Sequence, residues 1–267
     1  MRWVGLVGDR RRAEREAAYR ELPGFELVST GADLLDVSGP EPGPEPGLLA
    51  EVAVALVDGK QAVVHAPPVE WAGELLSLSE DHGERLIVAR PARWDPRVEA
   101  LRAELDAGET GAPAAIRVIR LGSPATTLAE LEWFALDALA ALGGAVGRVF
   151  CRRSALRGEA EDQALSVVRF RSGAIGYAEA GNAYPVAAAR TLIEVTGSAG
   201  MLEYDSLAAP NRLFADGLEV LEEEYLDPPL QRELRGLLAE RDSDTGALLA
   251  LAAATARVNG GAEAVEV

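Results

Sequence analysis

Apolar positions fall into two regimes along the chain. Up to about residue 112, short apolar runs alternate with longer stretches of helical spacing; beyond it, alternation with period two dominates. Residues 2–7 form an apolar run ending at Gly8, an arginine- and alanine-rich stretch to Glu21 has helical character, and 25–30 reads as a second strand entered through Pro23 and Gly24. Strand, helix and strand in about thirty residues open a doubly wound fold. The run from Ser38 to Gly47 alternates proline, glycine and glutamate and predicts a loop, not a helix or a central strand. Then come a helix over 48–57 closed by Asp58 and Gly59, a short buried strand over 62–65 stopped by Pro67 and Pro68, a helix over 70–82, a strand over 86–89 and a helix over 96–107.

After Gly111 the pattern predicts a strand over 114–121 and a helix over 126–142 closed by Gly143 and Gly144. Strands follow at 146–153, 164–170, 174–180, 191–196, 201–204 and 217–223, joined by glycine turns, as in an antiparallel sheet. Helices over 229–239 and 244–257 and a last strand over 263–267 end the chain. The expectation is an α/β protein: a shortened, Rossmann-like doubly wound domain over 1–112, then an α+β domain over 113–267 with a large, mostly antiparallel open sheet.

Composition narrows the chemistry. At 48% hydrophobic over 267 residues, a sizeable core can be buried, and no apolar run reaches the length that spans a bilayer. The basic cluster of MRWVGLVGDRRR follows its apolar stretch, the reverse of a secretory signal, and Cys151 is the single cysteine, so the reading is a cytoplasmic protein without disulfides. A net charge of −17 opposes nucleic acid and anionic membranes as partners. The cluster Arg10, Arg11, Arg12 and Arg15 is too local to reverse that; it reads as a solvated helix start or a phosphate contact. Of 26 basic residues only Lys60 is a lysine, and only His65 and His82 are histidines. Arginine is a poor proton donor, so any mechanism calling for a lysine acid depends on Lys60.

Several strings, in order, resemble the Gfo/Idh/MocA family of two-domain NAD(P)-dependent oxidoreductases. The segment from Gly59 to Pro67 (GKQAVVHAP) sits where the family has G-K-H-V-x-x-E-K-P. Arg93-Trp94-Asp95-Pro96, followed by a helix and Gly108-Glu109-Thr110-Gly111, is similar to the R-[FY]-x-P helix and its glycine turn. Phe134, Asp137 and Gly144 match the spacing of the helix H-x-x-D-x-x-x-x-x-x-G, and the segment from Ile193 to Leu202 looks like the family's i-x-G-t-x-G-x-l hairpin. The resemblance implies NAD or NADP on the first domain, a sugar-like substrate over the C-terminal sheet, and a homo-oligomer through that sheet or a hetero-oligomer with an active relative.

Carried over residue by residue, the equipment is incomplete. The family's lysine falls on Ala66, its glutamate on His65 and its helix histidine on Phe134, which leaves Asp137 and His65 as candidate catalytic groups. The G-x-G-x-x-G positions read Gly8, Arg10 and Ala13; Gly8, Arg10, Arg11 and Pro67 are the candidate cofactor contacts, and no metal site is expected. Between the second strand and Lys60 the family has a further helix and strand, and this chain has only residues 31–47, so a βα unit is expected to be deleted. A buried Asp137 needs a partner such as Arg93 or Arg120. Lys60 at a helix end reads as a carbonyl-facing cation, Cys151 as an inert strand residue, and Trp94 and Trp133 as core. Three functions stay open: a weak or inactive homologue without the lysine, including a binding or assembly module; an active NAD(P)-dependent enzyme on a sugar or polyol with a reshaped site; and a cofactor-free lyase or isomerase using Asp137 and His65.

Overall fold

A computed structural model of the chain describes residues 2–7, 12–38, 46–183, 190–208, 211–214, 218–221, 229–239, 245–259 and 263–267. Two sheets organise it. The first has five parallel strands in the order β2-β1-β3-β4-β5, made by β1 (Arg2–Val7), β2 (Phe25–Leu27), β3 (Leu34–Ser38), β4 (Gln61–His65) and β5 (Leu86–Val88). Helix α1 (Arg12–Glu21) follows β1, α2 (Pro46–Val57) leads into β4, and α3 (Ala72–His82) leads into β5. Strands β3 and β4 bury nearly every position, as a parallel sheet covered on both faces must.

The expected deletion of a whole βα unit is corrected by β3. The strand is present, between β1 and β4, and only a helix before it is lacking: residues 28–33 alone join β2 to β3. Register explains how so short a link connects two parallel strands on opposite sides of β1. β2 pairs with Arg2 to Val4 and β3 pairs with Val4 to Val7, so the chain leaves one strand and enters the other at the same level. Val28 donates its N–H to the Val4 carbonyl at 2.9 Å, and the link then crosses Gly5, where a Cβ would stand 3.1 Å from that of Ala32. The second half of β1 therefore has β3 on one side and, among the described residues, no strand on the other. Of the loop expected from Ser38 to Gly47, Ser38 ends β3 and Pro46 and Gly47 begin α2; the remainder lies outside the described residues.

Helix α4 (Pro96–Ala107) is capped by the Asp95 side chain, which accepts from the Arg97 N–H, and stopped by Gly108 at φ 84°. It leads to the second sheet, nine strands in the order β13-β12-β11-β10-β6-β9-β8-β7-β14. These are β6 (Pro113–Leu121), β7 (Val146–Ser154), β8 (Gln163–Phe170), β9 (Ile175–Gly181), β10 (Arg190–Gly197), β11 (Met201–Asp205), β12 (Asn211–Phe214), β13 (Leu218–Leu221) and β14 (Val265–Glu266). Only β6 with β9 is parallel, so the sheet is mostly antiparallel, as the alternation predicts; β12 is a strand the pattern missed.

Helix α5 (Leu128–Gly143) lies across one face of this sheet and is apolar almost all round, which fits its near-complete burial. Helix α7 (Thr245–Val258) packs against α3, α5 and β7. Helix α6 (Pro229–Ala239) returns to the first sheet beside α1, where Gly236 brings its backbone onto Trp94; a Cβ there would lie 2.4 Å from the indole. No described helix is long and apolar enough to cross a membrane.

Candidate functional site

In an open α/β sheet, ligands bind outside the carboxyl ends of the strands where the strand order reverses. Here that point lies between β1 and β3. Arg15 of α1 reaches it from below: its Nη1 donates to the Asp36 carboxylate at 2.6 Å, to the Asp36 carbonyl at 3.1 Å and to the Val7 carbonyl at 3.4 Å. Asp36, fully buried in β3, also accepts from the Tyr19 hydroxyl at 2.7 Å and pairs with His65 Nε2 at 3.1 Å. Across the imidazole, His65 Nδ1 lies 4.0 Å from buried Glu233 of α6.

The cluster settles its own protonation. Burial would raise the Asp36 carboxyl, but His65, then Arg15 and the Tyr19 hydroxyl, outweigh it and bring the carboxyl to about 2. Burial would lower His65, but Asp36 and then Glu233 carry it above 6.5. Burial and then Asp36 raise Tyr19 well above its ordinary value. His65 thus stands between two carboxylates, both of which favour its protonated form.

At the end of β4 the chain turns through Ala66, at φ 40° the single described non-glycine residue with positive φ, and then Pro67. The resemblance places the lysine at Ala66. Lys60 stands at the other end of the same strand, beyond the stop of α2, with its N–H on the Ala55 carbonyl and its ammonium 3.9 Å from Asp58. Five strand residues separate the two positions, roughly 17 Å at about 3.3 Å per residue.

Asp137 of α5 is fully buried and its acceptors are taken. Arg90 donates Nε at 2.8 Å, and the N–H groups of Ala92 and Arg93 donate at 2.9 and 3.1 Å. The guanidinium partner is therefore Arg90, where Arg93 or Arg120 was expected. Burial raises the carboxyl, against the opposing pull of Arg90 and the two N–H groups. Trp133, one turn earlier, donates to the Ala89 carbonyl at 2.8 Å, so the same helix fastens both sides of residues 89–93. Phe134 lies with its ring 4.7 Å from the Arg120 guanidinium on β6. Gly8, Arg10 and Arg11 lie outside the described residues. Cys151 is buried, which pushes its thiol up to about 11.

Sequence reasoning missed Asp36, Tyr19 and Glu233, and its reading of Arg15 as part of a solvated helix start or a phosphate contact is corrected: the side chain is buried on Asp36. A signal existed in α1: Arg15, Ala18, Tyr19 and Leu22 recur at helical spacing on one face. An arginine and a tyrosine on a core-facing stripe call for a buried acid to receive them.

No family model and no curated protein sequence matches the chain. Solved structures do. An oxidoreductase from Agrobacterium radiobacter, in complex with NAD+, L-tartaric acid and magnesium, superposes with a TM-score of 0.77 at 15% identity, covering 99% of this chain and 98% of its own. Levoglucosan dehydrogenase in complex with NADH and L-sorbose gives 0.79 at 16% identity, with 99% and 98% covered. The WlbA dehydrogenase from Bordetella pertussis, in complex with NADH and UDP-GlcNAcA, gives 0.75 at 18% identity, with 99% and 98% covered. The fold is that of the Gfo/Idh/MocA-type oxidoreductases over nearly the whole chain.

Proposed function

We propose that this protein is an oxidoreductase homologue of Gfo/Idh/MocA type with a degenerate nucleotide site, weak or inactive as a dehydrogenase, which keeps the two-domain frame to bind a small sugar-like ligand. One observation carries the reading: the turn where the resemblance puts the proton-transferring lysine is built, down to a left-handed backbone at Ala66, but holds a methyl group. The chain's single lysine, Lys60, is a strand length away, engaged with Asp58. One positioned proton donor is commonly worth about 10² to 10⁴ in rate. Asp137 does not replace it, because Arg90 and two backbone N–H groups use its oxygens.

The first sheet also fits a nicotinamide nucleotide poorly. Arg15 spans the switch point between β1 and β3, and β2 ends level with Val4, so the flank beside Gly5 to Val7 lacks a strand among the described residues. The relatives in complex with NAD+ or NADH favour a second reading, an active NAD(P)-dependent enzyme with a reshaped site.

Calorimetric titration with NAD+, NADH, NADP+ and NADPH, followed by a hydride-transfer assay on polyols and acidic sugars, separates the two. We expect weak or flat titrations and no turnover. Nucleotide binding together with turnover by the unmodified chain would establish the second reading and end the first. Ala66→Lys sharpens the result: turnover gained by that variant would mean that the pocket survives and only the ammonium is lacking.

A further inference from the structure

Among the described residues, several arginines that enter the interior of this protein are matched to acids. Arg15 holds Asp36, Arg90 holds Asp137, Arg97 holds Asp95 and Arg153 holds Glu132. Arg120, half-buried on β6, has no carboxylate within ion-pair distance among the described residues. Its Nη1 donates to the Thr191 hydroxyl on the neighbouring strand β10, and its guanidinium lies over the Phe134 ring. Its Nε is shut off from solvent without an acceptor. A hydroxyl and a ring face orient a cation, but neither neutralises it. The nearby Asp95 is committed to Arg97 through two short contacts, at 2.7 and 2.5 Å, and Arg97 in turn donates to Tyr204. Burial depresses the Arg120 guanidinium and Arg97 adds to that, while the charges of Asp95 and Glu130, outside ion-pair distance, pull the other way without overcoming it.

The position of this charge matters. Arg120 is on the side of β6 that faces α5, where Ile116 and Val118 fill the core, and it lies at the strand's end where α5, the start of α4 and the sheet meet. The Phe134 ring that carries the guanidinium stands on α5, at the position where the sequence resemblance puts the family's helix histidine.

We propose that Arg120, with Thr191 beside it, anchors the carboxylate of a small acidic ligand, of the class of sugar acids. One guanidinium supplies one positive charge and a planar fork, which suits a monoanionic carboxylate better than a phosphate dianion. The net charge of −17 likewise discriminates against more highly charged anions. The inference rests on the reading that this protein takes a sugar-like ligand, and it needs no nucleotide.

The test is isothermal titration and thermal shift of the whole chain, without nucleotide, using D-glucuronate, D-glucose and inorganic phosphate up to roughly 50 mM, a range that saturates a millimolar site. Glucuronate should bind and raise the melting temperature, with glucose and phosphate much weaker. Arg120→Gln should weaken glucuronate about ten- to a hundred-fold, the worth of a charge-assisted pair. Arg120→Lys should fall between, and Thr191→Val should cost a few-fold. If Arg120→Gln does not fold, the order of wild type, Arg120→Lys and Thr191→Val decides. Equal binding of glucose, undiminished binding by the Arg120 variants, or no glucuronate binding by the wild type would each overturn the proposal. Any of these leaves the argument from Ala66 and Lys60 standing, whereas nucleotide turnover would remove that argument and leave Arg120 untouched.

Discussion

Asp36, in the middle of the five-stranded sheet, and Asp137, in the helix laid over the nine-stranded one, are both fully buried, yet their surroundings push them in opposite directions. Asp36 gathers the Arg15 guanidinium, the His65 imidazole and a tyrosine hydroxyl, and is held at about 2. Asp137 has one guanidinium and two backbone N–H groups, and burial wins: its carboxyl is raised. Strand depth brings two elements, α1 and β4, to Asp36, whereas Asp137 is served from a single loop. The first sheet thus holds an internal charge network where β1 and β3 diverge, and α5 uses Asp137 to fasten the segment after β5.

The largest effect should come from removing the centre of the network. Asp36→Ala strands a buried arginine, a histidine and a tyrosine together, and breaking a buried ion pair on one side costs about 3–5 kcal/mol. Equilibrium denaturation should show a loss of that order. A loss under about 1 kcal/mol would mean that water or rearrangement serves Arg15, and the cluster would no longer count as the lock on the crevice.

Acid should next separate the two carboxylates. Asp36 has a folded value of about 2 against an ordinary 3.8, so its contribution is in place above about 3.8 and is lost as the pH falls through about 2. At about 1.4 kcal/mol per unit this comes to about 2 kcal/mol. For Asp137, raised above 3.8, the sign reverses: the folded protein takes up that proton first, and protonation adds stability as the pH falls towards 3.8. Stability measured from pH 7 to 2 should therefore fall less steeply in Asp36→Asn than in wild type, and more steeply in Asp137→Asn. His65, raised above 6.5, contributes fully below 6.5, and that contribution is lost as the pH rises through the folded value; the alkaline loss should disappear in His65→Gln. Parallel profiles for the two Asn variants would refute the contrast.

Why one carboxylate was foreseen and the other was not follows from their settings. Asp137 interrupts an apolar helix between Trp133, Leu136 and Leu139, so its need for a partner is legible, although nothing in the spacing selects Arg90 over Arg93 or Arg120. Asp36 sits in LLDVS beside a proline- and glycine-rich run, and an acid in so short a stretch argues against a central strand. It is stable there because of Arg15 and Tyr19, 21 and 17 residues away in sequence and adjacent only in the fold. Apart from β12, the other elements follow apolar periodicity with ends shifted by up to about three residues; α4 begins and ends where Asp95, Pro96 and Gly108 place it, and α6 begins at Pro229. The missing lysine is legible because it is a matter of residue type at a motif position. The left-handed turn that holds Ala66 is not, since alanine carries no signal for positive φ.

That turn supports the smallest and most specific prediction. A side chain at φ 40° costs roughly 1–2 kcal/mol relative to glycine, while glycine gives back about 0.5–1 kcal/mol through a freer unfolded chain. The Ala66 methyl also packs against the edge of the core, which offsets part of the strain. Ala66→Gly should therefore stabilise by about 0.5 kcal/mol, read as a higher denaturant midpoint at unchanged slope. A destabilised Ala66→Gly would make the methyl a packing group in its own right. A stabilised one would mark the backbone at Ala66 as strain that its surroundings do not offset, in contrast to β3, where the buried Asp36 is matched by Arg15, Tyr19 and His65.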